Sequence, residues 1–196
     1  MSKLVVIALL AAVAFTYPLF KQCDSQWGSD ALGNSGGKTV CQSGCTISSI
    51  SMVLNDCGKT LDGSAANPGT FNTWLKSHSG FSGNLFVWGS IATFGFSYQG
   101  KVTGSDIDSH FNQGHAVILN VNNGGHWVLM TGISGDNYSV NDPGYSKTSY
   151  PKTGVTQAAV YTKPSGCWSL SETVDSQFIQ DETITVNGAD EHLFFQ

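Results

Sequence analysis

The clearest hydrophobic period in the chain begins at Thr46. Ile47, Ile50, Val53, Leu54 and Cys57 recur at helical spacing, while Ser48, Ser49 and Asn55 fill the other face. The pattern predicts a helix from about Thr46 to Cys57, stopped by Gly58. A loop of Gly, Ser, Asn and Pro spans Asp62 to Pro68, and a short helix from about Gly69 to Ser77 carries Phe71, Trp74 and Leu75. An irregular stretch rich in Gly and aromatics follows to Gly104. Ser105 to Asn112 reads as a capped helix, with Ser105 as N-cap and Asp106 and Asp108 in the first turn. The period then changes. His115–Val121, His126–Ile133 and Tyr138–Asn141 read as strands separated by turns, and Gln157–Thr162 as a fourth. Helices first and an antiparallel meander second predict an α+β fold.

The ends differ from this body. Lys3 precedes an unbroken apolar run from Leu4 to Phe15, with Ala12 and Ala14 in A-x-A form, so residues 1–16 read as a secretory signal. A membrane anchor needs about 18 apolar residues, and this run is shorter. Six acids and no Lys lie from Glu172 onward, leaving nine Lys against eight acids in the rest of the chain. Residues 168–196 therefore form an acidic extension, and 17–167 the expected domain. Arg is absent and no basic stripe points to nucleic acid. A secreted or vacuolar location is expected, with no membrane span after signal cleavage.

The five cysteines are Cys23, Cys41, Cys45, Cys57 and Cys167. In an oxidising compartment an odd count leaves a thiol over. Cys45 follows Gly44 and opens the amphipathic helix. There the macrodipole and unpaired N–H groups favour a thiolate, and the same N–H groups can hold an oxyanion. The other four cysteines are disulfide candidates with three possible pairings; Cys57, on the apolar helix face, has the alternative of a buried free thiol. Of the five His, His126 opens a strand whose successor ends at Asp142, so a hairpin can bring carboxylate to imidazole. A three-residue loop, Gly135-Asp136-Asn137, pairs Ser134 with Tyr138 and puts Asp142 opposite Met130, on the face of His126. A two-residue loop puts Asp142 opposite Leu129, on the wrong face. The expectation is the longer loop, with Asn137 left-handed, or an equivalent bulge. Asn137-Tyr138-Ser139 is also a glycosylation sequon in this turn.

Three blocks resemble the C39-like peptidase family of the papain-like superfamily: "PLFKQCDSQWG", "GCTISSISMVLNDCG" and "GHAVILNV…GGHWVLMTGI…YSVNDPGY". The resemblance covers about Tyr17 to Tyr161. It implies a papain-like fold with the nucleophile's helix packed on an antiparallel sheet. It also implies Cys45 as nucleophile, His126 as general base then acid, and Asp142 as its orienting carboxylate. Gln22 carries over as the oxyanion residue, with Gln42 as runner-up and Gln26 as a further neighbour. The implied activity is a secreted cysteine peptidase or amide hydrolase acting on peptides or proteins through a thioester. The alternatives are a silent domain serving as a binding or structural module, and a cell-wall amidase. This chemistry requires no cofactor; zinc is disfavoured because the chain has no C-x-x-C pair and no His pair at metal spacing.

Overall fold

The computed structural model describes residues 17–167. The expected signal segment and the acidic extension lie outside the described residues. After a lead-in of turns come α1 (Val40–Ser43) and α2 (Cys45–Asp56), then the hairpin of β1 (Thr60–Leu61) and β2 (Ser64–Ala65). Helix α3 (Pro68–Ser77) is followed by the ribbon of β3 (Phe81–Ser82) and β4 (Leu85–Phe86), and by a 3₁₀ segment, Trp88–Phe94. Strand β5 (Ser97–Val102) and helix α4 (Ser105–Asn112) lead into β6 (Ala116–Val121), β7 (His126–Ser134), β8 (Asn137–Asn141), β9 (Ser149–Pro151) and β10 (Gln157–Thr162). The three helices and four strands read from the sequence therefore stand within a residue or two of expectation. The chain is α+β, as expected.

Six strands form one antiparallel sheet in the order β5-β10-β6-β7-β8-β9. β6 to β9 are a meander, and β10 returns to pair with both β6 and β5. One face carries Ile118, Leu129 and Ala159 against Ile47, Ile50 and Leu54 of α2, with Phe71, Trp74 and Leu75 of α3 behind them. The other carries Val117, Leu119, Val128, Met130 and Val160 against Ile107 of α4. Burial on both faces explains why β6 reads as a run of β-formers rather than an alternation. Each Ile or Leu buried in this way contributes about 1.5–3 kcal/mol. Helix α3 begins with a capping box between Asn67 and Thr70, with Pro68 in its first turn.

Three local expectations are corrected. The stretch before Gly104 is not irregular throughout: it contains β5, an edge strand whose positions are exposed or half-buried and which includes Gly100 at φ +96°. The N-cap of α4 is Gly104, with no side-chain cap, and Ser105 is already helical. The β7–β8 loop has two residues, not three, since Ser134 pairs with Asn137. Gly135, at φ +56°, takes the left-handed position expected of Asn137, as a turn with Gly first requires. Parity is restored by a bulge at Thr131, between the pairs Met130–Val140 and Gly132–Ser139. The ladder then pairs Leu129 with Asn141, so Asp142 comes into line with Val128, on the face of His126.

Candidate active site

The site lies where β7 begins, β8 ends and the N-terminus of α2 arrives. Gly44 separates α1 from α2, and its own N–H donates to the Val40 carbonyl at 2.7 Å. A Cβ on Gly44 would stand 2.5 Å from that same oxygen, so the sharp step between the helices needs glycine. The step leaves Cys45 as the first residue of α2. It is the free cysteine, half-buried, while Cys23 pairs with Cys41 and Cys57 with Cys167. The pairing that the sequence left open is thereby resolved, and Cys57 is not a free thiol.

His126 is held from its backbone. Asn120, the polar residue inside β6, donates from Nδ2 to the carbonyls of Gly124 and His126, both at 3.1 Å. Its Oδ1 accepts from Thr156 Oγ1 at 2.8 Å. The turn before His126 is thus fastened to the sheet. His126 is 6 % exposed. Its Nε2 meets Asp142 Oδ1 at 2.7 Å, and its other hydrogen-bonding partner is the Cys45 thiol. With Nε2 committed to the carboxylate, Nδ1 is the nitrogen left for sulfur.

Asp142 is 1 % exposed and fully engaged. Besides His126, its Oδ1 accepts the N–H groups of Gly144 and Tyr145, both at 2.9 Å, and its Oδ2 accepts the Tyr150 hydroxyl at 2.7 Å. Burial alone would raise its pKa; the hydrogen bonds from His126, the Tyr145 N–H and Tyr150 outweigh this and hold it below the usual carboxylate range. For His126, burial alone favours the neutral ring, but the hydrogen bonds to Asp142 and Cys45 and their charges push the pKa up to about 9. Burial likewise opposes the thiolate, yet the His126 hydrogen bond, the Trp127 backbone N–H and the His126 charge bring Cys45 below its ordinary value. All three directions favour thiolate, imidazolium and carboxylate in a row.

The lead-in is fastened to the same place. The Gln22 N–H donates to the Pro143 carbonyl at 2.9 Å, and Lys21 Nζ donates to the carbonyls of Asp142 and Tyr145 at 2.7 and 2.6 Å. The Cys23–Cys41 bond anchors the residue next to Gln22 four positions before Cys45. The Gln22 side chain is buried and lines the cleft; Nε2 donates to the Cys41 carbonyl, while Oε1 has no hydrogen-bond partner among the described residues. Gln42 also lines the cleft, but its Oε1 accepts from the Thr39 N–H at 3.0 Å in the capping box of α1. Gln26 turns to Asp24. A cleft of about 650 Å³ runs over Cys45, Gln22 and His126.

Gly144, Tyr145, Tyr150 and Lys21 were missed by the sequence reading. A Cβ on Gly144 would lie 2.8 Å from His126 Cε1, so glycine there lets the loop lie against the imidazole. The Tyr145 ring meets His126 edge-on at 5.0 Å. The only sequence signal for these contacts was the Asp142-Pro143-Gly144 turn itself. Asn137 of the sequon is exposed at the start of β8.

Among the described residues no helix is long and apolar enough to cross a membrane. Two disulfides are compatible with an extracellular protein. The family model described as Peptidase_C39 like family matches residues 15–169. No curated protein matches the chain.

Proposed function

The chain belongs to the Peptidase_C39 like family, and from that premise we propose that it is an exported cysteine peptidase working through Cys45, His126 and Asp142. The observation that carries the reading is the free thiol at the start of α2, hydrogen-bonded to an imidazole whose far nitrogen meets a buried carboxylate at 2.7 Å. The Cys45 thiolate attacks the substrate carbonyl. The Cys45 backbone N–H, at the head of α2, and the second N–H of Gln22 Nε2 receive the oxyanion. His126 protonates the leaving amine, and the thioester forms. His126, now neutral, takes a proton from water, which attacks the thioester and returns the thiolate. Asp142 keeps the imidazole in one tautomer and offsets its positive charge. Export of residues 17–196 after removal of 1–16, and glycan attachment at Asn137, belong to the same proposal.

The test is alkylation of the purified mature protein with iodoacetamide, alongside digestion of a peptide library. Cys45 is expected to react at neutral pH much faster than a free cysteine. Cys45→Ala is expected to abolish turnover, a fall of about 10⁴–10⁶-fold by analogy with other lost nucleophiles. Wild type and Cys45→Ala behaving alike would turn the assignment toward a silent binding module. Turnover of peptidoglycan stems but not of linear peptides would turn it toward a cell-wall amidase.

A further inference from the structure

The glycine-rich loop Gly33-Asn34-Ser35-Gly36-Gly37 has no part in the chemistry above, yet it is clamped to one wall of the cleft. The Asn34 N–H donates to the Gly83 carbonyl at 3.0 Å, the Ser35 N–H to Asn84 Oδ1 at 3.1 Å, and Asn84 Nδ2 to the Gly36 carbonyl at 2.9 Å. Gly33 lies so close that a Cβ there would be 2.7 Å from the Gly83 oxygen. A two-stranded ribbon as short as β3–β4 is marginal by itself; these contacts fix it as an extension of the domain.

What the fixed ribbon presents is Leu85. It is 76 % exposed, the most exposed large apolar side chain of the described residues. It lines the same cleft as Cys45, with Phe81, Phe86 and Leu32 beside it. A leucine held out in water by a dedicated clamp contributes nothing to the core, and exposed apolar surface at a cleft marks a binding face. The charge pattern narrows what binds. Among the described residues, the charged side chains that line the cleft are Lys38 and the Cys45–His126 pair, and no carboxylate lines it. A basic side chain would find no carboxylate there, and the Cys45 thiolate already faces the His126 imidazolium.

We propose that Leu85 is a specificity-determining residue, and that the cleft takes peptides carrying a large aliphatic or aromatic side chain within two residues of the scissile bond, in preference to basic ones. The proposal rests on the peptidase reading above. The substrate side chain packs on Leu85 and its apolar neighbours, completing a surface that the free protein leaves half-open to water.

A peptide library digested by wild type and by Leu85→Gln, read on both sides of each cut, tests this. Wild type is expected to enrich Leu, Ile, Met and Phe over Lys and Arg roughly tenfold at one position, within the range a single apolar contact can discriminate. Leu85→Gln should reduce that to about twofold or less. Asn84→Ala, which loosens the clamp and keeps Leu85, should fall between them. Alkylation of Cys45 by iodoacetamide, too small to touch the wall, reports separately on the nucleophile. An unchanged preference in Leu85→Gln, or a wild-type preference for basic residues, overturns the proposal while leaving the peptidase reading intact. Failure of Cys45 to alkylate sinks the peptidase reading instead. The wall is then judged in Cys45→Ala by fluorescence titration with a Leu/Phe-containing peptide and its Lys-substituted twin. Binding of the apolar peptide at least about fivefold tighter, lost in the Leu85→Gln double variant, sustains it; equal binding overturns it.

Discussion

The two sides of the site are held by different kinds of constraint. Cys45 and Gln22 come from a half of the chain built of short helices, turns and ribbons, fixed by a glycine step, a capping box and a disulfide. His126 and Asp142 come from neighbouring strands of a six-stranded sheet, fixed by register. Local fastenings can loosen by degrees. Register cannot, because a one-residue slip sends a side chain to the opposite face. The sheet side should therefore fail steeply and the helical side gradually.

Loss of the nucleophile itself aside, the steepest failure is expected at Asp142. Asp142→Asn removes the charge that supports the imidazolium, and kcat/KM should fall by about 10²–10⁴. The pKa of His126, pushed up to about 9 by Asp142 and Cys45, should drop. In wild type the alkaline limb of the pH–rate profile should lie near that value; in the variant it should move to lower pH. The same shift carries a stability consequence. His126 is raised from 6.5, so its contribution is complete below about 6.5 and is lost as pH rises through about 9. Denaturant titrations across that window should show wild type weakening more than Asp142→Asn.

Gly144→Ala comes next. Its new methyl group would meet His126 Cε1 at 2.8 Å and displace the ring. A shift of that order near reacting groups costs about 10²-fold in kcat, with secondary structure by circular dichroism unchanged. The disulfides then separate the two halves. Replacing Cys23 and Cys41 by Ser frees the segment carrying Gln22, and should cost roughly tenfold in kcat as one oxyanion donor loosens. It should also cost about 3 kcal/mol of stability for a separation of 18 residues. Replacing Cys57 and Cys167, separated by 110, should cost more stability, about 4–5 kcal/mol, yet leave kcat near wild type where the protein is still folded. The reverse ranking would mean that the lead-in positions nothing.

The smallest effect is expected from deleting Thr131. The bulge exists because the two-residue loop and the length of β7 disagree by one residue. Removing that residue makes the ladder regular and keeps Asp142 in line with Val128. Activity within a few-fold of wild type is expected, alongside an unchanged alkaline limb. A large loss would show that the bend of the strand, and not register alone, aims His126.

Much of this architecture was legible because its signals are local. The helical period of Ile47, Ile50, Val53 and Leu54 and the apolar run of β6 needed no partner to be read. β5 was missed because Gly100 and half-exposed positions weaken its pattern, and β9 because three residues around Tyr150 are too few to show a period. Within the site, Cys45 stood out by parity and by position. The parity condition on Asp142 was stated correctly, and of the two devices offered for it the bulge, not the three-residue loop, is the one found: Gly135 took the turn and Thr131 carried the extra residue. The proposed preference for Gln22 over Gln42 rests on a contact across the fold, between Gln22 and Pro143, that no local pattern announces. The same holds for Tyr150, eight residues beyond Asp142 with no motif of its own.

The Cys57–Cys167 bond has a mechanical consequence. β10 lies between β5 and β6, and the chain leaves it at Thr162, five residues before the bond. A pull on anything attached beyond Cys167 is passed through sulfur to the far end of α2, the end opposite Cys45. β10 is shielded from being peeled out of the sheet, so tension from a tethered tail, or a protease tugging on it, reaches the helix before it reaches the strands that hold His126 and Asp142.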